Sequence, residues 1–244
     1  MRILLLFLSA FLLASCSASA QTPKAIVTFT FDDVPKSVER IGLPILDAYH
    51  YPATVYVETR NTGGNYPDYM NWEDVKKVAD AGWEIGAHTH THPHLTKLSN
   101  EAILEDLFTS TQELAAHGYA PVDFATPFGD WDDRVISIIK RHYASQRDAW
   151  PAGVNALPLA DPYHIASYEV TKDTTLDELS KLLGDLQMKG GWLVLQIHEV
   201  TPKGQPVQDQ YDTSLLEDLV GLVHAKGFPV LTIRQALMSL SKGD

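Results

Sequence analysis

The chain alternates between short, mostly apolar runs and longer stretches in which an apolar residue recurs every three or four positions. Ala25–Phe31, Ala53–Val57, residues 83–87, Val122–Ala125 and Trp192–Ile197 are rich in β-branched and aromatic side chains, and they predict strands. Between them, helical periodicity and stop signals predict helices over Ser37–His50 (interrupted at Pro44), Asn71–Gly82, Ser99–Gly118, 132–142, Thr175–Lys189, Ser214–Lys226 and 234–240. Asn61–Tyr69, with Gly63, Gly64 and Pro67, reads as a loop. Tyr143–Gln146 and Ile165–Val170 read as extended, 148–163 as irregular, and 228–233 as a last strand. Strands alternating with helices indicate parallel βαβ units, and strands apolar on both sides indicate a sheet covered on both faces. A barrel or a doubly wound sheet satisfies both conditions, and both bind ligands at the carboxyl ends of strands.

Three of these runs end in residues with metal or acid–base chemistry. Ala25–Phe31 stops at Asp32-Asp33. Residues 83–87 stop at His88, the first of four histidines in seven positions. Trp192–Ile197 stops at His198. Adjacent side chains of an extended segment point to opposite sides, so Asp32 and Asp33 divide two roles, one toward a metal and one toward an attacking water. His88 and His92 meet if the chain turns helically after the strand; in a fully extended segment His88, His90 and His92 share a face instead. One carboxylate and two imidazoles, with coordination positions left open, form the ligand set of a hydrolytic metal. His198 is a suitable proton donor to a leaving amine.

Length and charge narrow the picture. The chain has 244 residues, enough for one domain around one core. The formal net charge is −12 without a lysine–arginine cluster, which argues against nucleic acid as a partner. Arg2 followed by the apolar stretch Ile3–Leu13 reads as a signal segment over residues 1–20, with the mature domain at 22–244. Leu13-Ala14-Ser15-Cys16 resembles a lipobox, which makes Cys16 a lipidation site, while Ala18-Ser19-Ala20 offers ordinary cleavage. Cys16 is the only cysteine, so an intrachain disulfide is excluded. The expected location is secreted or periplasmic, with membrane attachment only through an N-terminal lipid.

From residue 25 to about 240 the sequence resembles the polysaccharide deacetylases of the NodB-homology group, carbohydrate esterase family 4. Thr30-Phe31-Asp32-Asp33, His88-Thr89-His90-Thr91-His92-Pro93-His94-Leu95 and Leu195-Gln196-Ile197-His198 carry the resemblance. It implies an α/β fold, a distorted (β/α) barrel with fewer than eight regular strands. It implies that Asp33, His88 and His92 hold a divalent metal, usually zinc, that Asp32 is the general base and that His198 is the general acid. The motif around Pro127-Phe128-Gly129 implies an oxyanion donor in the Phe128 amide, with Pro127 and Phe128 at the substrate. Many relatives carry an arginine before that motif, and this chain has none; Arg147 is expected to fill the gap. Asp148 is expected to orient His198, and Trp150 and Leu195 to wall an acetyl pocket. The implied substrate is an N-acetylated polysaccharide. An O-acetyl ester such as acetylated xylan, a non-sugar amide, and a non-catalytic metal- or glycan-binding lipoprotein remain as alternatives.

Overall fold

The computed structural model describes residues 25–64, 66–149, 152–202, 204 and 210–241. Cys16, Trp150 and the signal segment lie outside the described residues. A parallel sheet forms the centre, in the order β5 (Ser145–Arg147), β4 (Asp123–Ala125), β3 (Glu84–Ala87), β2 (Thr54–Val57), β1 (Ala25–Phe31) and β8 (Gly191–Ile197). Its two ends are joined by the segment running into β7 (Tyr168–Glu169). Ile165 bridges to Arg147, and β7 pairs in parallel with β8. The sheet is thereby curled into the distorted barrel that the resemblance implies. Among the described residues, eight α-helices surround or plug it: α1 (Leu43–Asp47), α2 (Thr59–Gly63), α3 (Trp72–Asp80), α4 (Asn100–Ala116), α5 (Asp133–Ile139), α6 (Leu176–Lys189), α7 (Thr213–Ala225) and α8 (Ile233–Leu240). Side-chain caps set several of their starts. Asn71 with Asp74, Thr175 with Glu178, and Thr232 with Gln235 each form a reciprocal capping box.

The two-residue period of the strands sorts the side chains. Val27, Phe29 and Phe31 of β1, and Leu193, Leu195 and Ile197 of β8, join the large core beneath the helices. Ile26, Tyr56, Trp192 and Val194 fill the barrel interior with Ile233 and Ala236 of α8. Trp192 inside the barrel donates from Nε1 to Thr28 Oγ1 at 2.9 Å, so its polar atom is satisfied. Continued upward, the inward series of β1 reaches Asp32, and that of β8 reaches Gln196 and His198.

Tyr56 needs the bare backbone of Gly86 beside it. A Cβ on Gly86 would lie 2.5 Å from the Tyr56 ring. The ring in turn lies 5.2 Å beneath the Arg147 guanidinium. Gly86→Ala is therefore expected to destabilise the protein by about 1–3 kcal/mol, read by urea denaturation.

The opposite mouth of the barrel holds a pair of carboxyls, Glu84 and Asp123. Burial, and then the charge of Asp123, raise the Glu84 pKa above the usual carboxylate range. A carboxyl that holds its proton more tightly when folded contributes stability that is complete below its unfolded pKa and is lost as pH rises through the folded value. Glu84→Gln is thus expected to flatten the decline of unfolding free energy between pH 5 and pH 8, on the order of 1 kcal/mol or more. Urea titrations at the two pH values test this.

Several expected elements differ. The 37–50 helix opens as a π-helical turn, Val38–Gly42, before α1 begins one residue ahead of Pro44. The Asn61–Tyr69 loop begins inside α2, which Glu58 caps through the Asn61 amide. The 228–233 strand is only a single bridge, Val27 to Val230, because Thr232 already caps α8. The irregular 148–163 stretch contains β6 (Val154–Asn155), antiparallel to β8. A small second sheet pairs β9 (Val200–Thr201) with β10 (Tyr211–Asp212). No helix among the described residues is long and apolar enough to cross a membrane.

Candidate metal centre and catalytic cavity

Asp33, His88 and His92 meet at the carboxyl end of the barrel, each offering one ligand atom within 4.8 Å of the others. Asp33 Oδ1 lies 3.2 Å from His88 Nε2 and 3.0 Å from His92 Nε2. Neither contact has the alignment of a hydrogen bond, and Oδ1 is buried without a hydrogen-bonding partner among the described residues. His88 Nδ1 sits 2.8 Å from the Ala125 carbonyl, which can only accept. The Nδ1 proton is therefore committed there, and the Nε2 lone pair faces Asp33. A carboxylate oxygen and imidazole lone pairs converging in this way fit a divalent cation.

The histidine loop does not turn helically. Thr89 and His92 have φ of 69° and 54°, and these two left-handed residues fold the loop back so that His92 meets His88. The Thr89 hydroxyl accepts from the His92 amide at 3.0 Å. Asp106 of α4 accepts from the His90 and Thr91 amides at 2.7 and 3.1 Å. His90 points away, with Nδ1 2.9 Å from the Thr59 hydroxyl. Asp33, Val34 and Phe128 also have positive φ, so five of the six non-glycine residues with this backbone among those described border the site. Such strain concentrates where surrounding structure fixes a functional geometry.

Asp32 points the other way, into the barrel, and is 1% exposed. Its Oδ2 accepts a very short bond from Arg147 Nη2 and a 3.1 Å bond from Gln196 Nε2. Its Oδ1 has no partner among the described residues. Arg147 is as buried as Asp32 and is the last residue of β5 rather than a residue beyond it. The two form a buried ion pair across the barrel. Ser167 completes the network, its one hydroxyl proton shared between the Asp148 carbonyl at 2.7 Å and Gln196 Oε1 at 2.8 Å.

A cavity of about 200 Å³ opens here, lined by Asp32, Asp33, His88, His92, Gln196 and His198, with Thr126, Phe128, Gly129, Ala149 and Glu169 completing its wall. Phe128 is 53% exposed, with its ring stacked on His94 at 4.0 Å and edge-on to His92 at 4.5 Å. Its amide makes no backbone hydrogen bond among the described residues. Pro127 is buried and starts the short 3₁₀ turn that carries Phe128.

Two expectations fail. Leu195 does not wall the cavity. It is on the outward face of β8, in the large core, and the inward neighbour Gln196 takes its place. Asp148 does not orient His198. It accepts from Gln146 Nε2 at 2.6 Å and faces His164 Nδ1 at 3.1 Å. Among the described residues, the carboxyl nearest His198 is Glu169, with Oε1 3.6 Å from Nδ1. Sequence reasoning passed over Gln196, although a polar residue two before His198 in an apolar strand had to share its face. Nothing in the sequence marked Glu169 before the pairing of β7 with β8 was seen.

A family model for polysaccharide deacetylases matches residues 19–145, just over half of the chain, and the chain belongs to that family. Chitin deacetylase 3 of Cryptococcus neoformans is 30% identical over 154 residues, 59% of this chain and 36% of that protein, so the chain spans about a third of that relative's length. Among solved structures, a peptidoglycan N-acetylglucosamine deacetylase superposes with a TM-score of 0.62 at 19% identity, covering 86% of this chain and 87% of that one. A CE4 family pseudoenzyme from Bacillus anthracis superposes with a TM-score of 0.60 at 20% identity, covering 90% and 66%. One fold carries both an enzyme and a pseudoenzyme, so the case for catalysis rests on side chains.

Proposed function

We propose that this chain is a metal-dependent hydrolase that removes acetyl groups from an N-acetylated glycan outside the cytoplasm. One observation carries the reading: the Asp33–His88–His92 cluster, the free oxygen of Asp32 and the His198 ring all line one cavity. A divalent cation in that cluster, for which zinc suits the donor set, supplies Lewis-acid polarisation of the acetamide carbonyl and activation of water. Asp32 is the base. Arg147 and Gln196 fix its Oδ2, and Oδ1 is left to take a proton from the attacking water. The Phe128 amide donates to the oxygen that gains charge. His198 delivers a proton to the departing nitrogen.

The acid favours an amide over an ester, because an amine leaves as a protonated group whereas a sugar alcohol leaves with less assistance. The similarity to a chitin deacetylase supports a glycan of N-acetylglucosamine. The N-terminal sequence supports action outside the cytoplasm, with Cys16 as lipid anchor.

Acetate release from chitooligosaccharides and from acetylated xylan tests the reading. Release from the former, abolished by a chelator and restored by zinc, is expected. Cation binding with no acetate from any acetylated substrate would establish the non-catalytic alternative.

A further inference from the structure

His198 ends β8 with one ring nitrogen buried. Nδ1 is shielded from solvent and makes no hydrogen bond among the described residues, an expensive state for a polar atom. The nearest carboxyl oxygen is Glu169 Oε1 at 3.6 Å. The two residues are held in register by backbone. Glu169 pairs with Gln196 in the parallel β7–β8 ladder, and the Val170 amide donates to the Gln196 carbonyl at 2.8 Å. Both side chains line the catalytic cavity. Across it stand Asp32, Asp33, His88 and His92. Asp32 is engaged by Arg147 and Gln196, Asp33 lies against the two histidines, and Asp148 is taken up by Gln146 and His164. Glu199, the next residue along, accepts from Gln210 Nε2 at 2.7 Å. Among the described residues, Glu169 is the carboxyl left for His198.

We propose that Glu169 is the positioning residue of the general acid: its carboxylate accepts the Nδ1 proton of His198, fixes the ring, and leaves Nε2 toward the cavity as the proton donor to the leaving nitrogen. The proposal rests on the deacetylase reading and assigns the orienting role to β7 rather than to Asp148. The 3.6 Å separation is just beyond hydrogen-bonding range. Contacts of this kind tighten when substrate or a proton arrives. A carboxylate beside an imidazole favours its protonated form, so loss of Glu169 lowers the pH at which the acid is lost.

The experiment compares the wild-type chain with Glu169→Gln, Glu169→Asp and Asp148→Asn. The His198 ring is titrated by NMR in the metal-free protein, with the backbone amide spectrum as the check of folding. Acetate release is followed from pH 5 to 10. In Glu169→Gln the His198 titration is expected to move to lower pH. The alkaline limb of kcat is expected to move down equally, with kcat at pH 8 reduced about 10- to 100-fold and KM within twofold. Glu169→Asp restores part of both, and Asp148→Asn moves neither. Unchanged titration in folded Glu169→Gln, or a shift in Asp148→Asn as large as that in Glu169→Gln, overturns the proposal. The NMR arm decides it even if no variant releases acetate, an outcome that would refute the deacetylase reading alone.

Discussion

Arg147→Ala is expected to lower the unfolding free energy by about 3–5 kcal/mol, because it strands Asp32 as an unpaired charge in the barrel. Arg147 and Asp32 are each 1% exposed. Removing the guanidinium leaves only Gln196 Nε2 on the Asp32 carboxylate. It also empties the space above Tyr56. Acetate release should fall in parallel, since a carboxyl freed of its clamp no longer aims Oδ1 at the cavity. Lysine at this position should recover part of the stability and little of the activity, because a single ammonium cannot reach Asp32 and Ser167 with the geometry of a fork. Denaturant unfolding of the three proteins measures the first effect. Wild-type stability in Arg147→Ala would show that the pair is not formed.

Asp32→Asn is expected to reduce kcat by about 10²–10⁴-fold while leaving cation affinity within a few-fold of the wild type. The asparagine keeps the shape of the side chain but has no basic oxygen. Asp32 is not among the three residues that could hold a cation. Loss of metal with Asp32→Asn would mean that the roles of the two adjacent aspartates had been read the wrong way round. Combining Asp32→Asn with Arg147→Met removes both members of the buried pair. The double variant should be more stable than Arg147→Ala alone and no more active than Asp32→Asn. That result would separate stability from catalysis at this pair.

The top of the barrel was legible in the sequence because strands advertise their ends. An apolar run that stops at Asp32-Asp33, at His88 or at His198 announces both a strand and what its mouth presents. The alternation within β1 and β8 would have sent Leu195 outward and Gln196 inward, had it been applied past the motif. The other side of the site was harder to read. Each of β6 and β7 is two residues long, too short to impose a period, and they exist only because β8 offers a ladder. Glu169 therefore gained its place from pairing and not from pattern. The histidine loop was misjudged for a different reason. Spacing of four suggested a helical turn, but the turn is made by left-handed backbone at Thr89 and His92 and is held from outside by Asp106 of α4. Arg147 was named from the gap in the motif, and only the structure shows that β5 carries it inward to Asp32.

Calorimetric titration of zinc into the metal-free chain, alongside Asp33→Ala, measures the convergence of Asp33, His88 and His92 most directly. One strong site per chain is expected in the wild type. Affinity should fall at least 100-fold in Asp33→Ala, since a remaining pair of imidazoles makes a much poorer site. Equal stoichiometry and affinity in the two proteins would contradict a shared cation at the mouth of this barrel.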